Sequence, residues 1–514
     1  MVSTFHGLEV AKRGLFTQQA ALYTTGHNIA NANTPGYTRQ RVNFEQTGPF
    51  PAASRNRPEI PGQMGSGVQA GSIERIRVGF LDDQFRGENS KTGYYEARSD
   101  AFGRLESVMN EPSDSGLAKT MDRFWQSLQD LSVNPQNSGA RDVVVQRGLA
   151  VAKTFNYLSS TIHRMQNDIK TEVGVTTKEL NSLANQINNL NQQIAEVEPH
   201  GYVPNDLYDE RDRLIDQMSG LVNIDVSYED TPKSADPLAM GKATISIVGV
   251  GGQPLSPAST LVNGANNTVN EVTVNYPADG TPVAESITVG TATYQVEDFS
   301  SQGKLTGLIE SGGYMAGGEA KGTYEAMQYD LDKMATAYAT AFNAVQTSGE
   351  SLNSMENGTQ PPAFFQIDES LSADENGVVR GLAGALDLTD VIKNGSDHIA
   401  AANGELAGNG ANAGELADVR DEASAILGEE TSVSTFYESI IGTMAVEAQE
   451  VYRMESNSAT LRASVNQQRQ SVSAVSLDEE MTNMIKFQHA YNAAARNITV
   501  VDEMLDRIIN QMGR

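Results

Sequence analysis

Apolar residues recur at Phe5, Leu8, Leu15, Leu22 and Ile29, with Lys12, Gln19 and Gly26 in the remaining slots of the same stripe. This spacing puts the apolar side chains on one face of a helix, and the first thirty residues are predicted to form it. The run ends at residues 28–37, Asn-Ile-Ala-Asn-Ala-Asn-Thr-Pro-Gly-Tyr. There Pro35 presets φ for the second position of a turn, and Gly36 accepts a positive φ at the third. Pro49, Pro51, Pro58, Pro61, Gly62, Gly65 and Gly67 then predict turns and extended chain to about Gly71, a linker or small β element.

Helical spacing dominates from Phe80 to Leu221, broken at Glu111-Pro112 and Asn134-Pro135. Leu180, Leu183, Ile187, Leu190, Ile194 and Val197 make a heptad seam, flanked mainly by Asn and Gln, for which an antiparallel partner in the same domain is expected. Pro199, Gly201 and Pro204 interrupt it before Leu207, Leu214, Met218 and Leu221 resume the spacing, which predicts a helical hairpin. Near Asn223 the period changes to two: 224–226, 244–248, 272–274 and 293–296 alternate as half-buried strands, with Asp279-Gly280 as a turn. Helical spacing returns at Met327, Leu331, Met334, Tyr338, Ala341 and Val345, while Ser348 to Glu430 is Gly/Ala/Asn-rich and gives weak signals of either kind. From Ser432 the pattern is again helical. Ser476 and Glu479 have the spacing of a capping box, and Asp478, Glu479 and Glu480 put negative charge at the start of a last helix. Its stripe is Met481, Met484, Tyr491, Ala495, Ile498 and Leu505.

The fold class expected is mainly α with an inserted β domain: long terminal coiled-coil helices, a helical-bundle domain and a β-rich domain. Residues 1–50 and 475–514 form the two halves of one terminal domain. Residues 51–222, 304–347 and 432–474 form the helical domain with its extended segment, 223–303 the β-rich insertion and 348–431 a loop-rich insertion. Ordering a terminal helix costs ~1–2 kcal/mol of backbone entropy per residue, more than one apolar stripe returns, so neither end persists unless its stripe is covered. Ala30, Asn31, Ala32 and Asn33 at one end, and Ala490, Asn492, Ala493, Ala494 and Ala495 at the other, permit close approach and hydrogen bonding between neighbours. The ends are therefore expected to order by pairing and self-assembly; the competing arrangement docks the pair on the chain's own helical domain.

The 514 residues carry 37 Lys plus Arg against 65 Asp plus Glu, a net charge of −28. That balance opposes binding to nucleic acid or anionic membrane, and no apolar run is long enough to span a bilayer. There is no cysteine, which excludes disulfides and thiolate chemistry. Glu9, Lys12 and Arg13 interrupt the start where a signal peptide needs an unbroken apolar core, so any export uses another route. No two of His6, His27, His163, His200, His398 and His489 have the i, i+4 spacing of a helical metal pair. Gly249-Val250-Gly251-Gly252 starts like a dinucleotide loop, but Pro254 replaces the final glycine. The adjacent acids Asp82-Asp83 and Glu429-Glu430 are read as solvated faces. No catalytic residue, metal ligand or cofactor is nominated, and the chain is expected not to be an enzyme.

Residues 28–37 resemble the N-terminal signature of bacterial flagellar rod, hook and hook-associated proteins. Asn205-Asp206-Leu207-Tyr208-Asp209-Glu210-Arg211-Asp212, the heptads before it and Ser476-Leu477-Asp478-Glu479-Glu480-Met481 narrow the resemblance to the hook–filament junction members. It covers about two thirds of the chain and excludes the variable β insertions. The resemblance implies a helical tube at the distal end of the hook, with terminal helices as the axial inner wall and central domains facing outward. It implies an adaptor needed for filament assembly and motility, whose partners are other copies, the hook protein and the second junction protein. It also implies export through the flagellar type III apparatus without a cleaved signal, to the outside of the cell, and a chaperone on the C-terminal segment. Self-assembly is assigned to Phe5, Leu8, Leu15, Leu22, Ile29, Asn31, Asn33, Pro35, Gly36 and Tyr37, with Met481, Met484, Tyr491, Ala495, Ile498 and Leu505. Some rod proteins carry a wall-cleaving domain, so a hydrolytic insertion competes with this picture, as does an adhesive β insertion or another rod or hook member.

Overall fold

The computed structural model describes residues 4–51, 55, 62–109, 116–278, 280–368, 370–428 and 430–507. The breaks expected at Pro58, Pro61 and Glu111-Pro112, the turn residue Asp279 and Glu429 lie outside them. The chain divides into two compact units, one of Met1–Ser90, Leu180–Glu271 and Ala459–Arg514, the other of Lys91–Glu179 and Val272–Ser458.

The first unit opens with α1 (Thr4–Ala30), followed by the antiparallel hairpin of β1 (Gln40–Gln46) and β2 (Val68–Arg75), which bulges between Asn43 and Phe44. It holds the start of α2 (Gly79–Met109). In the second unit, α3 (Leu117–Val133) follows. Leu180, Leu183, Ala184, Ile187 and Ile194, in the later part of α4 (Ser138–Val197), are buried in the first unit with Tyr208, Leu214, Ile215 and Met218 of α5 (Asn205–Leu221). Gly201, with φ of 78°, carries the break between α4 and α5. A four-stranded antiparallel meander follows, β3 (Ile224–Tyr228), β4 (Ala243–Ile247), β5 (Thr260–Asn263) and β6 (Thr268–Val269). The buried Asn191 of α4 ties helix to sheet, donating to the Ala243 carbonyl at 2.8 Å and accepting its N–H at 2.9 Å. The last helix, Leu477–Asp506, completes this unit and packs along α1.

The second unit has its own three-stranded sheet, β7 (Val272–Asn275), β8 (Ser286–Val289) and β9 (Ala292–Gln295), and the helices α6 (Lys304–Gly312) and α7 (Thr323–Ser348). Its core is an aromatic cluster of Phe124, Tyr338, Phe342, Phe364 and Phe365, with the Phe342 and Phe364 rings 4.9 Å apart. Gly148 of α4 lies so close that a Cβ there would stand 2.7 Å from Phe364.

One expectation needs correction. The alternating run 223–303 is two sheets rather than one inserted domain, because residues up to Glu271 belong to the first unit and those from Val272 to the second. Alternation identifies a strand but carries no information on which sheet it joins. Residues 348–431 hold short paired elements set between turns and loops: Glu350–Ser351 pairs with Ala400–Ala402, Phe365–Gln366 with Asp387–Leu388, and helix Ala411–Asp418 packs on α3. Phe364, Leu382, Leu388, Ile392 and Ile399 are fully buried there, but strands of two or three residues are too short to show a period.

Candidate functional site

Three of the four segments that carried the family resemblance, 28–37, 205–212 and 476–481, meet in the first unit, where α1 ends and the C-terminal helix begins. Thr34 to Tyr37 closes as a turn, the Tyr37 N–H donating to the Thr34 carbonyl at 3.2 Å with Gly36 at φ of 84°, which returns the chain past the end of α1. Asn28, buried in the last turns of α1, then has every polar position used. Its Nδ2 donates to the Gln40 carbonyl at 2.8 Å and to Glu480 Oε2 at 3.1 Å, while its Oδ1 accepts from the Gln40 N–H at 3.0 Å and the Tyr37 hydroxyl at 2.8 Å. Burial, then the carboxylates of Asp206, Asp209 and Glu480, push the Tyr37 hydroxyl far above its ordinary range, which keeps it a donor.

Glu480 is the sole fully buried side chain among the described residues of the C-terminal helix, and its other oxygen accepts from Arg39 Nε at 2.8 Å. Arg39 also reaches Glu479 at 2.7 Å, and its N–H donates to the Ser473 carbonyl at 2.9 Å. The expected capping box is therefore corrected. Ser476 is the N-cap residue, but its side chain makes no capping hydrogen bond, because Glu479 and Glu480 are drawn to Arg39 instead. Substituting Glu480 with alanine leaves Asn28 Nδ2 and Arg39 Nε without this acceptor, and hydrogen bonds to charged groups contribute ~1.5–3 kcal/mol. Amide exchange in the first turns of the C-terminal helix and at Thr38–Gln40 should accelerate at least ~10-fold; unchanged protection would show that this carboxylate does not seat the helix.

Beneath this clasp lies an ionic cluster. The Thr38 N–H donates to Asp209 Oδ2 at 2.9 Å, and Arg75 Nη1 bridges Asp209 and Asp212 at 2.8 and 2.9 Å. Arg77 reaches Asp212 at 2.9 Å and Arg86 approaches it at 3.6 Å. Burial alone would raise the Asp212 pKa, but Arg77, Arg75, Arg86 and Arg211 hold the carboxyl down at about 2. Burial raises that of Asp209 against the pull of Arg75 and the Thr38 N–H. Arg469 joins through Asp216 and Asp82. A groove of about 650 Å³ beside the turn is lined by Pro35, Gly36, Arg77, Arg213, Asp216 and Arg469 among others. Among the described residues no group of three or more His, Asp or Glu side chains is placed to hold a metal ion.

The nominated residues fall into distinct environments. Leu8, Leu15, Leu22 and Ile29 of α1 are half-buried, as are Met484, Tyr491, Ala495, Ile498 and Leu505 of the C-terminal helix, joined by Phe487 and Val501. Asn31 donates to the His27 carbonyl and accepts from the Thr34 hydroxyl, both at 3.1 Å, while Asn33, Pro35 and Gly36 are exposed. Phe5 and Met481 lie away from the paired faces, 63% and 57% exposed. They belong to a second apolar set with Phe16, Tyr23, Leu477, Ile485, Val500 and Met504, all at least 45% exposed. Apart from Phe5 and Met481, this set is outside the single stripes read from the sequence, although Phe16 and Tyr23 are seven apart and Leu477, Met481 and Ile485 four apart. Asn28, Arg39, Asp209, Asp212 and Glu480 are likewise absent from the site residues read from the sequence; their signal was a polar stripe of Asn205, Tyr208, Asp209 and Asp212 at helical spacing.

Residues 102–365 match the family model described as the Flagellar hook-associated protein FlgK helical domain. Over its full length the chain is 47% identical to Flagellar hook-associated protein 1 of Bacillus subtilis (strain 168), covering 99% of that protein. The chain belongs to the hook-associated protein 1 family. Its ends match two further models, Flagella basal body rod protein over residues 8–38 and Flagellar basal body rod FlgEFG protein C-terminal over 466–512, the segments that form the clasp and the helix pair. Family membership extends to Flagellar hook-associated protein 1 of Escherichia coli (strain K12), 24% identical over 97% of this chain and 98% of that one. The solved flagellar hook junction protein FlgK from Burkholderia pseudomallei shares the fold at a TM-score of 0.60 and 13% identity, over 76% of this chain and all of that one.

Proposed function

We propose that this chain is a structural, non-enzymatic component of the bacterial flagellum, an adaptor that polymerises at the distal end of the hook and joins hook to filament. The observation that carries this is the second apolar set. After α1 and the C-terminal helix have paired, Tyr23 remains 71% and Ile485 54% exposed, and side chains of this size in a row along a helix pair mark a surface that another molecule covers. Family membership identifies the setting as the flagellum. The covering molecules are further copies of the chain, with the hook protein below and the second junction protein above. Before assembly the same C-terminal surface is the segment held by an export chaperone, and the chain leaves through the flagellar type III apparatus.

Deleting residues 475–514 tests both halves of the reading. Hooks are expected to stay bare with filament subunits shed into the medium, and calorimetry with the export chaperone should show no binding. Filaments of normal number would overturn the assembly role; undiminished binding would overturn the chaperone role.

A further inference from the structure

The chain contains six Asn-Gly pairs, at 263–264, 357–358, 376–377, 394–395, 403–404 and 409–410. In such a pair the glycine has no side chain to hinder its own amide nitrogen, which can turn against the side-chain carbonyl carbon of the preceding asparagine. That attack needs a glycine N–H without a hydrogen-bond acceptor, an asparagine side chain that is not held, and room for a succinimide ring. Four pairs fail the first condition. Gly264 donates to Thr244 Oγ1 at 2.9 Å, Gly358 to the Ser354 carbonyl at 2.8 Å, Gly377 to that of Asp374 at 3.0 Å and Gly395 to that of Val391 at 3.1 Å. Asn409 fails the second, since its Nδ2 donates to the Asn403 carbonyl at 2.7 Å and its Oδ1 accepts from the Ala411 N–H at 2.9 Å. Gly410 also lacks the room, because even a Cβ there would collide with the Ser132 backbone.

Asn403-Gly404 meets all three conditions. The Gly404 N–H has no acceptor among the described residues, its φ is 97°, and a Cβ there would touch nothing within 4 Å. Asn403 is exposed, and its side-chain amide meets only the exposed carboxylate of Glu415, at 3.3 Å. We propose that Asn403 is a modification site, deamidating spontaneously in the folded protein with water as the co-reactant. The Gly404 nitrogen gives up its proton and bonds to Asn403 Cγ, the Cγ–Nδ2 bond breaks, and ammonia leaves with that proton. Water then opens the succinimide at either carbonyl. Breaking the new N–Cγ bond gives aspartate; breaking the original peptide C–N bond gives isoaspartate, whose main chain runs through Cβ. Either product sets a carboxylate where an amide had donated to Glu415, so a hydrogen bond becomes a repulsion between like charges. Isoaspartate also adds one carbon to the main chain and shifts the carbonyl that accepts from Asn409. The exposed loop between strand Ala400–Ala402 and helix Ala411–Asp418 thus loses both of its ties.

Ageing the purified full-length protein in mildly alkaline buffer, folded and in denaturant, tests this by peptide mass mapping with enzymatic methyl labelling of isoaspartate. In the folded protein Asn403 is expected to convert roughly tenfold faster than the other five asparagines, since freeing a hydrogen-bonded N–H alone slows a reaction by up to about that factor. In denaturant all six should convert at similar rates, which shows that the selection comes from the fold. Asn403→Gln should abolish conversion at this position, because the larger ring closes far more slowly, and leave the other five as they were. The loosened loop is read with chymotrypsin at Leu406, 74% exposed at its tip, where aged wild type should be cut faster than aged Asn403→Gln. An intact Asn403 in the folded protein, or another pair keeping pace with it there, would overturn the assignment; equal cutting of the two aged proteins would overturn the loosening.

Discussion

Replacing Leu15 and Leu22 together with aspartate is expected to leave both compact units folded and to abolish swimming, with filament subunits released into the medium. Both leucines are half-buried on the α1 stripe, at the level where the C-terminal helix presents Tyr491 and Met484. Covering a leucine is worth ~1.5–3 kcal/mol, and two carboxylates in the same seam add desolvation and mutual repulsion to that loss. The pair has little to offset it, since the described part of the C-terminal helix contributes no fully buried side chain except Glu480. The cores around Ile187 and Ile215, and around Phe342 and Phe364, do not draw on either leucine, so their unfolding transitions should be unchanged. Wild-type swimming by the double variant would contradict the proposed role of the terminal helices.

The second large effect is expected at Asp212. Its carboxylate is 3% exposed and faces Arg75, Arg77 and Arg86. Asp212→Ala leaves three nearly buried guanidiniums around an empty place, and breaking a buried ion pair from one side costs ~3–5 kcal/mol. Denaturant unfolding of the first unit should shift by that amount, whereas Arg213→Ala, which removes an exposed pair with Glu210, should cost under ~1 kcal/mol. The isosteric Asp212→Asn adds a pH signature. The folded pKa of about 2 lies below the ordinary 3.8, so the ionised carboxyl favours the folded state. That contribution, on the order of 2 kcal/mol, is complete above about pH 4 and disappears as pH falls through 2. Asp209, raised by burial, acts in the opposite sense and gains stability on protonation. Comparing wild type with Asp212→Asn cancels that term, so the stability gap between them should narrow by about 2 kcal/mol from pH 5 to pH 2. A constant gap would show that the arginines do not hold this carboxyl down.

Local geometry was legible wherever a segment was long enough to repeat. The α1 stripe, the heptads of α4 and the Pro35-Gly36 turn are each determined within one or two turns of backbone, and each occurs where the spacing placed it. The site was less legible because its members act across the chain. Local sequence presents Glu480 as a charge suited to its own helix dipole, yet its partners Asn28 and Arg39 lie more than 400 positions away. A competing ligand for that carboxylate cannot be seen in a local window, and it displaced the capping box.

Residue periodicity alone determined that the ends are amphipathic helices, that a turn follows the first of them and that the chain holds strands near 224, 244, 272 and 293. These properties arise from backbone sterics and side-chain spacing, which depend on near neighbours. Only the tertiary structure decided that Val272 and Ile245 belong to different sheets, that Asn28 and Glu480 close one clasp, and which apolar residues remain uncovered after the helices pair. Burial and hydrogen-bond partnership are relations between distant segments, and their outcome is set by the competition among all of them for the same core and the same donors.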